Sequence, residues 1–220
     1  MRLVLPRLYV ILDAALLSLP EQECAVSLAD AGVRLVQYRN KAASTAKLFA
    51  AAQVLSPAMR ERRVTFIVND RADVAALSSA SGVHVGQDDL SVEQARKVVG
   101  GDALVGVSTH NLNQFQAAAA TSADYIAFGP IFATSSKANP DPVVGLDLLS
   151  KARQLTTKPV VAIGGITLER ARGVIEAGAD SVAVISDILR AEIPANRARQ
   201  YIDLLEPIEH DSGKAHQTHG

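Results

Sequence analysis

Gln37, Arg39 and Lys41 stand two residues apart at the end of a run, Arg34-Leu35-Val36-Gln37-Tyr38-Arg39, that otherwise reads as a buried strand. Side chains alternate faces along a strand. An amide, a guanidinium and, while the chain stays extended, an ammonium therefore share one face, with Val36 and Tyr38 on the other. Two cations held together suit a polyanion, and the amide beside them suits a planar hydrogen-bonding group. A solvated face of an edge strand would show the same pattern, so this segment alone leaves both open. Other chemistry-bearing groups recur along the chain: Asn69-Asp70, Gly86-Gln87-Asp88-Asp89, Ser108-Thr109-His110, Thr134-Ser135-Ser136-Lys137, Gly164-Gly165 and Ser186-Asp187.

What must position these groups is a repeated pattern. Val- and Ile-rich runs at 8–12, 35–39, 65–69, 82–86, 103–108, 125–129, 159–164 and 181–186 predict strands. Ala-rich, helix-periodic segments at 21–31, 44–54, 72–79, 92–99, 112–120, 146–155, 168–177 and 195–205 predict the helices between and after them. Ser91 and Thr167 precede helices as N-caps, and Gly32, Gly100 and Gly178 sit where C-terminal glycines are expected. Repeated β-then-α order implies parallel strands joined by helical crossovers. Eight units of about 27 residues suit a single (β/α)8 TIM barrel over 1–208. An open doubly wound sheet is the alternative, but no G-x-G-x-x-G follows the first strand. Residues 209–220, polar and containing His210, His216 and His219, predict a disordered tail.

In such a barrel the active site occupies the C-terminal strand ends, where every group named above falls. Asp70 and Asp89 follow adjacent strands, so they could converge on one hard divalent cation; magnesium takes one or two carboxylates plus substrate phosphates. Helix capping by Asp70 and turn formation by Asp88 or Asp89 are the plainer alternatives. Arg39, Lys41, Lys137 and such a cation would together match a pyrophosphate and stabilise its charge as it leaves. A second anion site is expected after the seventh and eighth strands, where Gly165 lets backbone approach an oxyanion and Ser186 caps a short helix. The long connection from Pro130 to Gly145 predicts a lid carrying Lys137.

Net charge is −1, so nothing draws the whole chain to nucleic acid or an anionic membrane, and any anion site must be local. Cys24 is the only cysteine, which rules out an internal disulfide and makes buried filler the reading there. Pro6, Arg7 and Asp13 interrupt the apolar N-terminus, which reads as a first strand rather than a signal peptide or membrane span. The expected location is cytoplasmic. The oligomeric state stays open, and a homo-oligomer is compatible with it.

Taken together, Gln37-Tyr38-Arg39-Asn40-Lys41, Val68-Asn69-Asp70, Gly86-Gln87-Asp88-Asp89, Gly106-Val107-Ser108, Gly129-Pro130 through Lys137, and Ile163-Gly164-Gly165-Ile166 resemble the thiamine-phosphate synthase family over nearly the whole chain. The resemblance implies condensation of 4-amino-2-methyl-5-(diphosphomethyl)pyrimidine with a thiazole phosphate, giving thiamine phosphate and pyrophosphate by a magnesium-assisted dissociative substitution. It assigns Arg39, Lys41, Asn69 and Lys137 to the pyrophosphate, Asp70 and Asp89 to Mg2+, and Gln37 and Ser108 to the pyrimidine. Thr134, Ser136, Gly165, Ile185 and Ser186 would bind the thiazole phosphate. Two positions depart from the family pattern: Asn40 stands where an acid is usual, and Ala133 replaces a common proline. The related thiazole tautomerases carry a histidine at the position of Pro130 and lack the paired aspartates. A non-catalytic barrel binding thiamine precursors is a rival of a different class. His84 reads as structural, and His110 is left between a structural and a catalytic role.

Overall fold

Eight short strands, each too apolar to face water, close on one another and leave no edge. The computed structural model describes residues 3–134 and 141–206; the expected tail over 209–220, like Ser136 and Lys137, lies outside them. In chain order the elements are β1 (Leu8–Asp13), α1 (Glu21–Asp30), β2 (Leu35–Arg39), α2 (Thr45–Glu61), β3 (Thr65–Asn69), α3 (Ala72–Leu77), β4 (Gly82–Val85), α4 (Val92–Val99), β5 (Leu104–Thr109), α5 (Leu112–Ala119), β6 (Tyr125–Phe128), α6 (Gly145–Arg153), β7 (Val160–Ile163), α7 (Leu168–Glu176), β8 (Ser181–Val184), α8 (Ser186–Leu189) and α9 (Pro194–Leu205). The strands pair in sequence order, all parallel, and β1 pairs with β8 through Leu8↔Val182 and Val10↔Val184. That closure makes the chain a (β/α)8 barrel rather than an open sheet, and it removes the edge-strand reading of β2.

The two-residue period sorts the core into two layers. Val10, Leu12, Val36, Tyr38, Phe66 and Val68 point outward and pack under the helices. Tyr9, Ile11, Leu35, Ile67, Tyr125, Val161 and Ala183 point inward and fill the barrel. Gln37 and Arg39 share the inward parity with Leu35, so the polar face of β2 looks along the barrel axis.

Helix ends follow the expected caps in part. Ser91 accepts from the Gln94 amide while the Gln94 side chain accepts from the Ser91 amide, a complete capping box. Thr167 holds the N-cap position of α7, but its side chain does not bond the helix amides. It bonds Glu169 instead. Helix α2 runs to Glu61, seven residues beyond the expected end at Val54, and carries Pro57 inside it. Burial of Leu55, Ala58 and Met59 against the core outweighs the one backbone bond that proline removes.

Candidate active site

The cations of β2 are each met by a carboxylate from a neighbouring strand end. In the register of β1 on β2, Asp13 lies opposite Arg39, and the Asp13 carboxylate accepts a hydrogen bond from the Arg39 guanidinium through Oδ2. Its other oxygen accepts from the Ala15 amide at 3.1 Å. Asp13 is only 4% exposed, so Arg39 is fixed from below with one side open to the barrel mouth. Lys41, just beyond the strand, pairs with Asp70 Oδ2 at 2.7 Å.

Asp70 itself sits at φ 63°, the left-handed region where non-glycine residues are sparse. The N-cap of α3 is Arg71, not Asp70, and the Asp70 carboxylate turns to the cavity, which disposes of capping as its explanation. Asp89 does close a turn, accepting from the Gly86 amide at 2.7 Å. It also lies within hydrogen-bonding reach of Asp70. Burial, helped by the Asp70 carboxylate, holds the Asp89 carboxyl above the usual carboxylate range, while the Gly86 amide and Lys41 oppose that rise. Two carboxylates brought together against their mutual repulsion, beside open space, are a donor set that fits one hard divalent ion.

Below them lies a chain of buried hydrogen bonds that crosses the barrel. Gln37 Nε2 donates to the Tyr9 hydroxyl at 2.8 Å, and Tyr9 and Tyr125 hydroxyls meet at 3.0 Å. Tyr125 meets His84 Nδ1 at 3.1 Å, and His84 Nε2 meets Ser108 Oγ at 2.8 Å. Burial pushes the His84 pKa down to about 4, so its ring is neutral at pH 7. Gly106 makes the arrangement possible: a Cβ there would lie 2.1 Å from the Tyr125 ring.

Two cavities share this framework. The larger, about 730 Å³, is lined by Gln37, Arg39, Lys41, Asn69, Asp70, Asp89 and Ser108 among others. The smaller, about 100 Å³, is more apolar and lies over Pro130, Thr134, Gly164, Gly165, Ile185 and Ser186. Ser108, His110, Ile163 and Ile185 line both. His110 Nδ1 is 2.8 Å from the Gly129 carbonyl and 3.6 Å from the Asp141 carboxylate. Gly165, at φ 62°, presses so closely on the chain at Phe132 and Ala133 that a Cβ would sit 2.4 Å from the Ala133 carbonyl. Ile131 and Phe132 amides donate to the Ile163 and Gly164 carbonyls, and Arg170 stacks 4.7 Å over Phe132 while donating to the Gly165 carbonyl. The first part of the expected lid is therefore anchored to the turn after β7. Ser186 is the first residue of α8, not its cap; the capping position belongs to Ile185.

Residues 8–188 match the family model described as thiamine monophosphate synthase. The chain belongs to the thiamine monophosphate synthase family. It is a transferase of thiamine biosynthesis. The chain is 53% identical to a thiamine-phosphate synthase of Koribacter versatilis (strain Ellin345), over 92% of its own length and 97% of that protein. It is 44% identical to one from Chloroflexus aurantiacus (strain ATCC 29366 / DSM 635 / J-10-fl), over 88% and 90%. Among solved structures, a thiamine phosphate pyrophosphorylase from Pyrococcus furiosus superposes with a TM-score of 0.82 at 33% identity, covering 90% of this chain and 94% of that one.

Of the residues the sequence singled out as a synthase-family site, Gln37, Arg39, Lys41, Asn69, Asp70, Asp89 and Ser108 line the larger cavity. Thr134, Gly165, Ile185 and Ser186 line the smaller one. Ser136 and Lys137 lie outside the described residues. Asn40, the departure from the family pattern, accepts from the Ala43 amide and donates to Glu21 Oε1 at 3.4 Å. An acid at 40 would face Glu21, which here supplies the negative charge from α1. Sequence reasoning missed Asp13, Tyr9 and Tyr125. Asp13 ends its strand as Asn69 does, and that position was its one available signal.

Proposed function

We propose that this chain joins 4-amino-2-methyl-5-(diphosphomethyl)pyrimidine to a thiazole phosphate, releasing pyrophosphate and forming thiamine phosphate. The observation that carries the reading is the single wall on which Arg39 and Lys41 stand beside the converging carboxylates of Asp70 and Asp89. Cations and a carboxylate pair together suit a diphosphate, where either alone would not. Asp70 and Asp89 would hold Mg2+, which when bound neutralises charge developing on the leaving pyrophosphate. Arg39 and Lys41, with Asn69 and Lys137, hold the diphosphate oxygens and so orient the C–O bond for cleavage. Gln37 and Ser108 hold the pyrimidine ring over the buried chain beneath them. Backbone at Gly165 and Ile185, with the hydroxyls of Thr134, Ser136 and Ser186, receives the thiazole phosphate. The shared lining of the two cavities would let the thiazole nitrogen reach the pyrimidine methylene carbon once the C–O bond has broken. The scheme asks for no protein nucleophile; positioning and electrostatics carry it.

The test is direct. Purified protein given both substrates and magnesium should form thiamine phosphate, and chelation should stop it. Absence of product at saturating substrates would sink the reading.

A further inference from the structure

The proposed reaction makes two charges, and Arg39 and Lys41 answer only the negative one, on pyrophosphate. The pyrimidine methylene turns positive as the C–O bond breaks, and that charge passes to the thiazole ring when its nitrogen bonds the carbon. The seam where the two halves meet is lined from both cavities by Ser108, His110, Asp141, Ile163, Ala183 and Ile185. Asp141 is the one carboxylate in that set. It is also the one carboxylate among the described residues that line the smaller cavity. A carboxylate is a poor lining for a cavity that receives a phosphate, since like charges repel. Gly165 and Ser186, however, line the smaller cavity alone and stand away from the seam. Asp141 therefore lies toward the end of the thiazole that becomes positive, not at its phosphate.

His110, just past the end of β5, holds that carboxylate in place. Its Nδ1 lies 2.8 Å from the Gly129 carbonyl. A carbonyl can only accept, so Nδ1 carries a proton whatever the charge of the ring. The Asp141 carboxylate, 3.6 Å from the same nitrogen, thus meets an N–H and not a lone pair. The His110 amide is itself tied, donating to Gln114 Oε1 at 2.8 Å. Three residues beyond Asp141, the Val144 amide donates to the Pro130 carbonyl at 2.9 Å and fixes the chain there. We infer that Asp141 is a catalytic carboxylate that stabilises the positive charge on the methylene and then on the thiazolium, and that His110 positions it. This inference rests on the proposed reaction and adds the half of its electrostatics that the cations do not supply. The electron pair of the C–O bond leaves with pyrophosphate, the thiazole nitrogen supplies the pair of the new C–N bond, and the carboxylate forms no bond and moves no proton. The Asp141 side chain is 36% exposed. Water therefore screens part of its field, and its effect belongs near about tenfold, below the roughly 100-fold of a fully enclosed group.

The test compares two ligands that differ in ring charge, the thiazole phosphate and its N-methyl thiazolium counterpart, titrated by calorimetry into the whole protein. The methyl group stands where the pyrimidine methylene bonds, so the charge sits where the reaction leaves it. Wild type should bind the thiazolium about tenfold more tightly, and Asp141→Asn should bring the two within about twofold. Any steric cost of the methyl is common to both proteins. His110→Ala should shrink the preference, and His110→Asn, whose amide N–H can stand near the place of Nδ1, should restore most of it. In turnover, Asp141→Asn should lower kcat about tenfold without raising the KM for the thiazole phosphate, because repulsion of the phosphate goes with the charge; damage to the cavity would raise KM instead. Equal affinities in wild type, with the diphosphate still turned over, would overturn the inference and spare the synthase reading. A preference that survives Asp141→Asn would overturn the role of that carboxylate, and one that survives intact in His110→Ala would overturn the positioning role. Binding of neither ligand, together with no turnover, would overturn both the inference and the synthase reading.

Discussion

Replacing Asp13 by asparagine asks whether Arg39 is aimed by its partner or only tethered near the site. The asparagine keeps an oxygen for the Ala15 amide, which Asp13 Oδ1 holds at 3.1 Å, so the turn after β1 should survive. What goes is the charged bond to Arg39. The Arg39 side chain is 21% exposed, so its guanidinium can regain water from the cavity. The loss should thus stay near the ~1.5–3 kcal/mol of a charged hydrogen bond rather than the larger cost of a stranded buried charge. Urea unfolding should show a drop of about 2 kcal/mol. If the same energy serves to align Arg39 on the diphosphate, kcat/KM for the pyrimidine diphosphate should fall roughly 30-fold, since about 1.4 kcal/mol is tenfold in rate. The KM for the thiazole phosphate should stay within about twofold, because Arg39 does not line the smaller cavity. Two results would refute the reasoning. One is a kcat/KM within about threefold of wild type in a folded variant. The other is a lower KM for the diphosphate at unchanged kcat, which would make Asp13 a brake on the charge of Arg39 rather than its guide.

Gly106→Ala would place a Cβ 2.1 Å from the Tyr125 ring; overpacking of this kind costs about 1–3 kcal/mol, so the melting midpoint should fall by roughly 2–12 °C. An unchanged midpoint would mean that Tyr125 is not seated against β5. For His84, burial holds the folded pKa at about 4, below the ordinary 6.5. Its contribution to stability is present above pH 6.5 and lost as pH falls from 6.5 toward 4, because only the unfolded chain gains the proton there. The full span is worth about 3 kcal/mol. Urea midpoints of wild type and His84→Gln should therefore converge as pH drops through that window, and parallel curves would show that His84 is not the group concerned.

The fold was legible because its signals are local and repeated. Alternation along β2 put Gln37 and Arg39 on one face and Val36 and Tyr38 on the other, and the closed sheet turned the first face inward. The boundaries that slipped did so where burial overrode a local rule, as at Pro57 in α2. At Thr167 a nearby glutamate took the hydroxyl that the helix amides were expected to use.

The site was legible one residue at a time, and its pairings were not. Asp70 and Asp89 could be placed on adjacent strand ends from the sequence, but their approach within hydrogen-bonding reach, and the loan of Lys41 to Asp70, depend on a left-handed residue and a turn closed by the Gly86 amide. Asp13 went unnoticed because its partner is 26 residues away, and only the β1–β2 register sets them opposite. Tyr9 and Tyr125 were hidden more thoroughly, since an aromatic residue in an apolar strand is core filler by every sequence criterion. Their hydroxyls acquire meaning only when the ring closes and β1, β2, β4, β5 and β6 point into one space. There a tyrosine hydroxyl must find a partner, and Gln37 and Ser108 end the chain because their remaining polar atoms still face the cavity.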